Sequence, residues 1–491
     1  MDHQRVNLLV AESFRLNEAN KFKRAQTILE EGLAVYPDVQ ALRLNLVVSL
    51  IGLQDWQRAE DVLTPLRECG DLLDHGTLKA VICNQAIIEQ NTGREHMAAK
   101  RLQQASLRFA DDPIVLNNAA LAVAKTGDWL TAEQLLHKAV VLRPGCPKIA
   151  KALASHYQAR GNDEAAIVWY RKVLELDEDS SSTHTDLAFS LLRARQFRKG
   201  WLEFEYRPQS WNLDWLQPNW HIGISVEGKS VAVIIDEGIG DALMFAPMLE
   251  QLVLCCSRHV IYCDRRLYSL LQRTWPDLCF EWQIIDNRYR EMDVRIRLGS
   301  LAALFRQKES DFPTQNRHLR INPKRIQYWQ NWLDSLGSGP AVGIGWRGGR
   351  HDAVAMLRRS VPLKQWTPLL TARQVRWICL QHQPDQDEIV DIEKQLGIRI
   401  HQVQGLTDNI DELATLTSLL DGVVSCEQTA VHVAGSVGTR CWVLLSDPPG
   451  WRYISRIGDT NQTMIWYESV TLVPRNQWMT WHPCIEALMR L

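Results

Sequence analysis

In the first part of the chain, small residues recur within an otherwise amphipathic helical pattern at Ala25, Ala59, Ala98, Ala132, Ala166 and Gly200, with spacings of 34, 39, 34, 34 and 34. Twelve residues before each runs a second series, Ser13, Val47, Ala86, Ala120, Ala154 and Ala188, small apart from Val47. Two ladders in fixed phase predict a repeated pair of antiparallel helices, because small side chains are needed where two helices cross closely. Turn signals fall between the ladders at Thr92-Gly93, Gly127-Asp128 and Gly161-Asn162, while Pro37 and Pro144 close second helices. About six helix pairs are expected over residues 5–205, with the five extra residues of the second spacing forming a longer loop near Cys69 to His75.

After Arg207 the period stops, and short apolar runs alternate with helical stretches, the pattern of parallel sheets with connecting helices. Strands are expected at 231–235, 259–263, 282–285 and 294–298, then, after a helix at 323–336, at 341–346, 375–381, 400–403, 422–425 and 441–445. Two open sheets follow, divided at Gly337-Ser338-Gly339-Pro340, and a last helix is expected at 478–491. The domains are therefore 1–207, 208–339 and 340–491. Composition adds little to this except for tryptophan. Of 19 Trp, 16 lie after residue 200, and Trp201, Trp211, Trp215 and Trp220 gather where the two patterns meet, which points to a packed junction. A net charge of -2 without a basic block excludes a nucleic-acid footprint. The 11 Cys form no CxxC pair, the N-terminus lacks an unbroken apolar leader, and no apolar run reaches about 18 residues; the expectation is a cytoplasmic chain with reduced thiols and no membrane span.

Ligands of open parallel sheets sit beyond the carboxyl ends of strands, so the candidate chemistry lies in the loops there. In the first, Asp236 to Asp241, Gly238 and Gly240 allow a sharp turn and close approach to a bound group, and the missing third glycine argues against NAD. Asp241 is either a helix N-cap or a carboxylate aimed into the cleft, where it could deprotonate a hydroxyl. In the second, Trp346, Arg347, Gly348, Gly349 and Arg350 lead to Arg358, Arg359 and Ser360, and glycines beside guanidinium forks suit a pyrophosphate. The third, Glu427, Gln428 and Thr429, opens a helix whose first N–H groups favour an anion, with His432 on the same face as Gln428. Trp346 and Trp451 fall where an indole could stack on a sugar or base. Asp385-Gln386-Asp387 has a DxD form, yet acidic residues are ordinary in the first turn of a helix, so no metal site is expected.

The 34-residue helix pairs resemble the tetratricopeptide repeat. Asn45, Asn84, Asn118 and Asp186, two residues before the first-helix ladder, are similar to the asparagine ladder of O-linked N-acetylglucosamine transferases, which implies a grip on an acceptor peptide in the repeat groove; Ala11 and Ala152 interrupt it. Strand-GIGDALMF-helix resembles the opening of the heptosyltransferase-related glycosyltransferases, and Gly200 to Arg207, Pro218 and Trp220 resemble the linker of bacterial proteins that join such repeats to such an enzyme. The resemblance covers nearly the whole chain. It implies a GT-B fold of two Rossmann-like domains, an acceptor-side one at 208–339 and a donor-side one at 340–491. It also implies Asp241 as general base, Arg359-Ser360 at the donor phosphates, Gln381 towards the base, and Trp451-Arg452 near the donor. Glu427-Gln428 depart from that family's Asp-Thr, while His432 fits. The resulting expectation is an inverting, metal-independent transfer from a nucleotide-sugar, a substrate with no cofactor, to a protein held by repeats that could also mediate self-association. A heptosyltransferase-like enzyme with a saccharide acceptor, or a non-catalytic repeat scaffold, are the alternatives.

Overall fold

The computed structural model describes residues 2–208, 218–283, 286–313, 317–348, 358–371 and 375–475. Trp211, Trp215, Gly349, Arg350 and the expected helix at 478–491 lie outside these. Twelve helices in six pairs run from Asp2–Glu18 to Phe197–Phe204. Both ladders occupy the helix crossings: Ala25, Ala59, Ala98, Ala132 and Ala166, and all six members of the first-helix series, are fully buried. A Cβ on Gly200 would stand 2.7 Å from the Leu192 side chain, which is why that rung has no side chain at all. The first part of the chain is thus a helical-repeat solenoid of tetratricopeptide type.

Each turn within a helix pair uses one residue with positive φ, and these also recur in phase. Gly93, Gly127 and Gly161 take it at 75°, 91° and 73°, while Asn20, Gln54 and Arg195 take it at 55°, 60° and 59°. An L-residue with a Cβ pays for the left-handed conformation with about 1–2 kcal/mol, and glycine does not, although it loses more chain entropy on folding. Gln54→Gly is therefore expected to stabilise the chain by about 0.5–1 kcal/mol. A denaturant midpoint that stays put or falls would show that the strain is relieved elsewhere. Arg195 is not equivalent, since its guanidinium holds Glu309 at 2.9 Å.

Chain contacts divide into two compact units, Met1–His156 with Trp169–Glu178, and Tyr157–Val168 with Asp179–Leu491. The division falls earlier than the loss of period at 207. Its cause is packing: Ala188, Leu192, Phe197, Trp201 and Phe204 of the last helix pair belong to the same hydrophobic core as the sheets that follow. Trp201 lies edge-on to Phe204, Phe245 and Trp451, with centroids 5.6, 6.1 and 5.6 Å away, and its Nε1–H donates to the Arg306 carbonyl at 2.7 Å. The junction expected from the tryptophans is accordingly solid at Trp201 and Trp220, both buried.

The second unit holds two sheets. The first is parallel with order β3-β2-β1-β4, from β1 (Ser230–Ile234), β2 (Arg258–Tyr262), β3 (Phe280–Glu281) and β4 (Val294–Arg297). The second has order β10-β11-β9-β8-β5-β6-β7, from β5 (Ala341–Gly345), β6 (Arg376–Cys379), β7 (Ile400–His401), β8 (Gly422–Cys426), β9 (Cys441–Leu444), β10 (Thr463–Met464) and β11 (Tyr467–Val473). All its pairs are parallel except β10 with β11. β3 falls at 280–281, where Phe280 is buried and Trp282 is 42% exposed, while residues 284–285 of the strand expected at 282–285 lie outside the described residues. The helix expected after β1 is two, Ile239–Phe245 and Met248–Val253, interrupted at Pro247. Gly337 and Gly339, at φ 104° and 102°, make the turn between the sheets where the break was expected.

The two sheet regions share one core, and polar contacts join them as well. Arg273 pairs with Asp411, Arg325 with Glu412 at 2.8 Å, and the N–H groups of His318 and Leu319 both donate to the Ser436 carbonyl at 3.1 Å. Behind the first loop, Arg207 reaches Glu237 at 3.2 Å and Arg297 reaches Asp236 at 2.8 Å, and Glu237 also accepts from the Gly299 N–H at 2.7 Å. Burial and the neighbouring Asp236 push the Glu237 carboxyl up. This network anchors the loop that leads to Asp241.

Candidate active site

Where the strand ends of the two sheets face each other lies a cavity of about 760 Å³, inside the range of small-molecule sites, roughly 300–1,000 Å³. Of the fourteen residues expected as base or donor contacts, eleven line it; Trp346, Ser360 and Trp451 do not. The lining is contributed by loops after β1, β2, β5, β6, β7, β8 and β9, so the topology rule holds for both sheets.

Asp241 is the third residue of the helix Ile239–Phe245, and the N-cap is Gly238, so the carboxylate is not a cap. It points at the other sheet, where Arg452 donates from Nε to one oxygen and from Nη2 to the other, the latter at 2.5 Å. Burial by itself would raise its proton affinity; Arg452 outweighs that and holds the carboxyl below its usual range. Arg452 in turn lies over the Trp451 ring, 4.3 Å from its centroid.

Gly240 lines the cavity and has a second, structural neighbour: a Cβ there would stand 2.9 Å from His432 Cδ2 and 3.5 Å from Thr429 Cα, so the missing side chain also admits the helix Thr429–Val437. His432 is 2% exposed. Its Nε2 is 3.3 Å from the Tyr453 hydroxyl, and its Nδ1 has no hydrogen-bonding partner among the described residues. Burial drives its pKa down to about 4, so the imidazole is neutral.

The expectation for Glu427 is corrected. In place of reaching for a sugar hydroxyl, its buried carboxylate accepts from the Ser446 N–H at 2.8 Å, the Ser446 hydroxyl at 2.7 Å and the Gly450 N–H at 3.2 Å. It thereby fastens the loop that carries Arg452. Gln428 is the N-cap position of Thr429–Val437, and its amide donates to Ser425 Oγ at 3.0 Å and to Gln381 Oε1 at 3.4 Å. Gln381 Oε1 accepts as well from the backbone N–H of Trp346 at 3.1 Å and of Arg347 at 2.8 Å, so this amide shapes the loop after β5.

Trp346 was expected in the cleft and is fully buried in a core with Ile344, Val361 and Trp366, its Nε1–H donating to Glu388 at 2.9 Å. Trp451, expected likewise, is 5% exposed and packs against Phe189, Trp201 and Phe204. Both indoles serve volume, since a Trp side chain fills sheet-helix core more effectively than it covers a solvated loop. Ser360 is half-buried outside the lining, and its hydroxyl has no partner among the described residues. Arg347 pairs with Glu388 at 2.7 Å, whereas Arg359, with its side chain 40% exposed, has among the described residues a distant contact to Glu427 at 3.8 Å. Asp385 is the N-cap of Gln386–Leu396 and accepts from the N–H groups of Asp387 and Glu388, as expected for a helix start.

Sequence reasoning missed Arg266, His382, Thr407 and Tyr453 in the wall. The strand-end rule would have found Arg266 after β2, and Tyr453 adjoins a residue already chosen. An adjoining cavity of about 470 Å³ shares Gln381, His382, Gln383 and Thr407 and has an apolar floor of Cys379, Val403 and Leu406.

On the repeats, Asn45 donates to Ser13 Oγ at 2.8 Å and to the Val10 carbonyl at 3.2 Å, and Asn118 reaches Cys83 Sγ at 3.7 Å. These amides bridge neighbouring repeats. Asn84 is 9% exposed, and Asp186, in the second unit, receives the Gln158 amide on its backbone carbonyl at 2.7 Å.

No protein-family model matches the chain. Among curated proteins it is similar to protein FlbA of Caulobacter vibrioides, 24% identical over 474 residues that cover 84% of this chain and 77% of that protein. Among solved structures it is similar to a chain of the APC/C hetero-tetramer Cut9-Hcn1, with TM-score 0.35, 17% identity and coverage of 40% of this chain and 38% of that one. A second is TTC0263, a thermophilic TPR protein in Thermus thermophilus, with TM-score 0.34, 21% identity and coverage of 38% and 98%. No helix among the described residues is long and apolar enough to cross a membrane.

Proposed function

We propose that the second unit is a glycosyltransferase of GT-B type, moving a sugar from a nucleotide-sugar to a protein acceptor presented by the repeats, with inversion and without a metal. One observation carries the reading: the Asp241 carboxylate and the guanidinium groups of Arg347, Arg359 and Arg452, brought from loops of both sheets, line a single cavity at the strand ends. In the reaction the acceptor oxygen attacks the anomeric carbon as the bond to the diphosphate oxygen breaks. The hydroxyl proton passes to Asp241, and the nucleoside diphosphate leaves with the electron pair. Arg359 and Arg452 and the first N–H groups of Thr429–Val437 meet the charge that develops on it. Neutral His432, behind Gly240, sets no charge against the base.

A second reading is favoured by the ion pair itself. A carboxylate already bound at both oxygens by Arg452 is a poor base, as in a nucleotide-binding scaffold that transfers nothing. Thermal unfolding with UDP-, GDP-, ADP- and CMP-sugars tests both readings. A ligand at one hundred times its Kd adds about 2.7 kcal/mol, so at least one nucleotide should raise the midpoint. A flat panel removes the nucleotide-sugar reading; a shift without any mass gain on co-expressed acceptor proteins leaves the scaffold.

A further inference from the structure

We infer that Arg452 sets the order of substrate binding: it holds Asp241 in the free chain, and the diphosphate of an arriving nucleotide-sugar draws the guanidinium away and frees the carboxylate. The inference rests on the nucleotide-sugar reading above and concerns the working of the same cavity.

Three features of the geometry point this way. Arg452 and Asp241 both line the cavity, so the pair lies where a ligand can reach it. Its fork engages both carboxylate oxygens, the bidentate arrangement that also fits phosphate oxygens. Only its side chain need turn to do so: Glu427 clamps the preceding loop through Ser446 and Gly450, and the guanidinium lies over the Trp451 ring, 4.3 Å from its centroid. A diphosphate brings more negative charge than one carboxylate at a similar distance, so the arginine prefers it once present and returns to Asp241 once it leaves.

The groups facing Asp241 then decide what the freed carboxylate does. From the loop after β9 come Arg452 and Tyr453, from β11 comes Tyr467, from the helix Thr429–Val437 comes His432, and Arg359 stands further off. With Arg452 withdrawn, the near neighbours His432, Tyr453 and Tyr467 are neutral side chains. Burial then raises the proton affinity of the carboxyl, which is what a base for a hydroxyl requires. An acceptor that arrives first meets a blocked carboxylate; one that arrives after the donor meets a base.

The test is calorimetric, on the full chain, with UDP, GDP, ADP and inorganic pyrophosphate as probes near pH 6 in two buffers of different ionisation enthalpy. Asp241→Asn removes the competitor for Arg452, so it should bind the effective probe about tenfold more tightly, within the usual range of coupled sites. The wild type should also take up more protons on binding than Asp241→Asn, because the probe's own protonation is common to both. Equal or weaker binding by Asp241→Asn together with equal proton uptake would overturn the ordering while leaving a nucleotide site in place. Absence of binding by every probe to either protein overturns the nucleotide reading and the ordering with it. Matching circular-dichroism spectra of the two free proteins establish that the variant is folded, so the difference in proton uptake reads the carboxylate.

Discussion

Asp241→Asn should lower sugar transfer by about 10²–10⁴-fold, the usual contribution of a positioned general base, while nucleotide binding persists. The asparagine keeps the shape of the side chain beside Gly240 and His432, so the wall of the cavity stays closed. What it loses is the capacity to accept the hydroxyl proton. The measurement is kcat with the effective donor at saturation, so that any gain in donor affinity does not enter. Turnover within threefold of wild type would place the base elsewhere. Among the described residues of the lining the other carboxylate is Glu427, and it is held by three hydrogen-bond donors in the loop that carries Arg452.

Trp201→Ala should destabilise the second unit by about 3–5 kcal/mol, as expected for a buried aromatic truncated to a cavity. Trp201 is 1% exposed and contacts three aromatic rings, one of them Phe245 at the end of the helix that bears Asp241, and another Trp451 beneath Arg452. Truncation also strips the Arg306 carbonyl of its donor. Trp201→Phe should fall between the two, since it restores volume but not the hydrogen bond. Denaturant unfolding monitored on the second unit reads the effect. A loss below 1 kcal/mol for the alanine variant would mean that the last helix pair is not part of that core. Because the same ring supports both halves of the ion pair, the alanine variant is expected to lose nucleotide binding along with stability.

Periodic features were legible in the sequence. The two small-residue ladders emerged as the buried rungs of the helix pairs, and eight of the nine expected strands appeared within about two residues, because helix and strand periods are local properties of the chain. The ninth, expected at 282–285, is met two residues earlier at the buried Phe280, and its last two positions lie outside the described residues. β10 and β11 were missed, being short or interrupted by charge at Glu468. At the site, the loops were readable because a strand end followed by glycine and a helix start is a local pattern.

What each side chain does there was a different matter. Trp346 and Trp451 looked like stacking platforms on their loops, and both proved to be core, since whether an indole is covered depends on the volume left between elements far apart in the chain. Gly240 looked like a place for a ligand to approach, and the fold makes it the seat of His432 as well, 192 positions later. The sequence by itself determined the repeat, the alternation of strand and helix, and the loops where anions could be met. Only the tertiary structure decided that Asp241 and Arg452, 211 residues apart, face each other as an ion pair. A residue's period is written in its neighbours, but its charge partner is set by which strand ends the fold brings together.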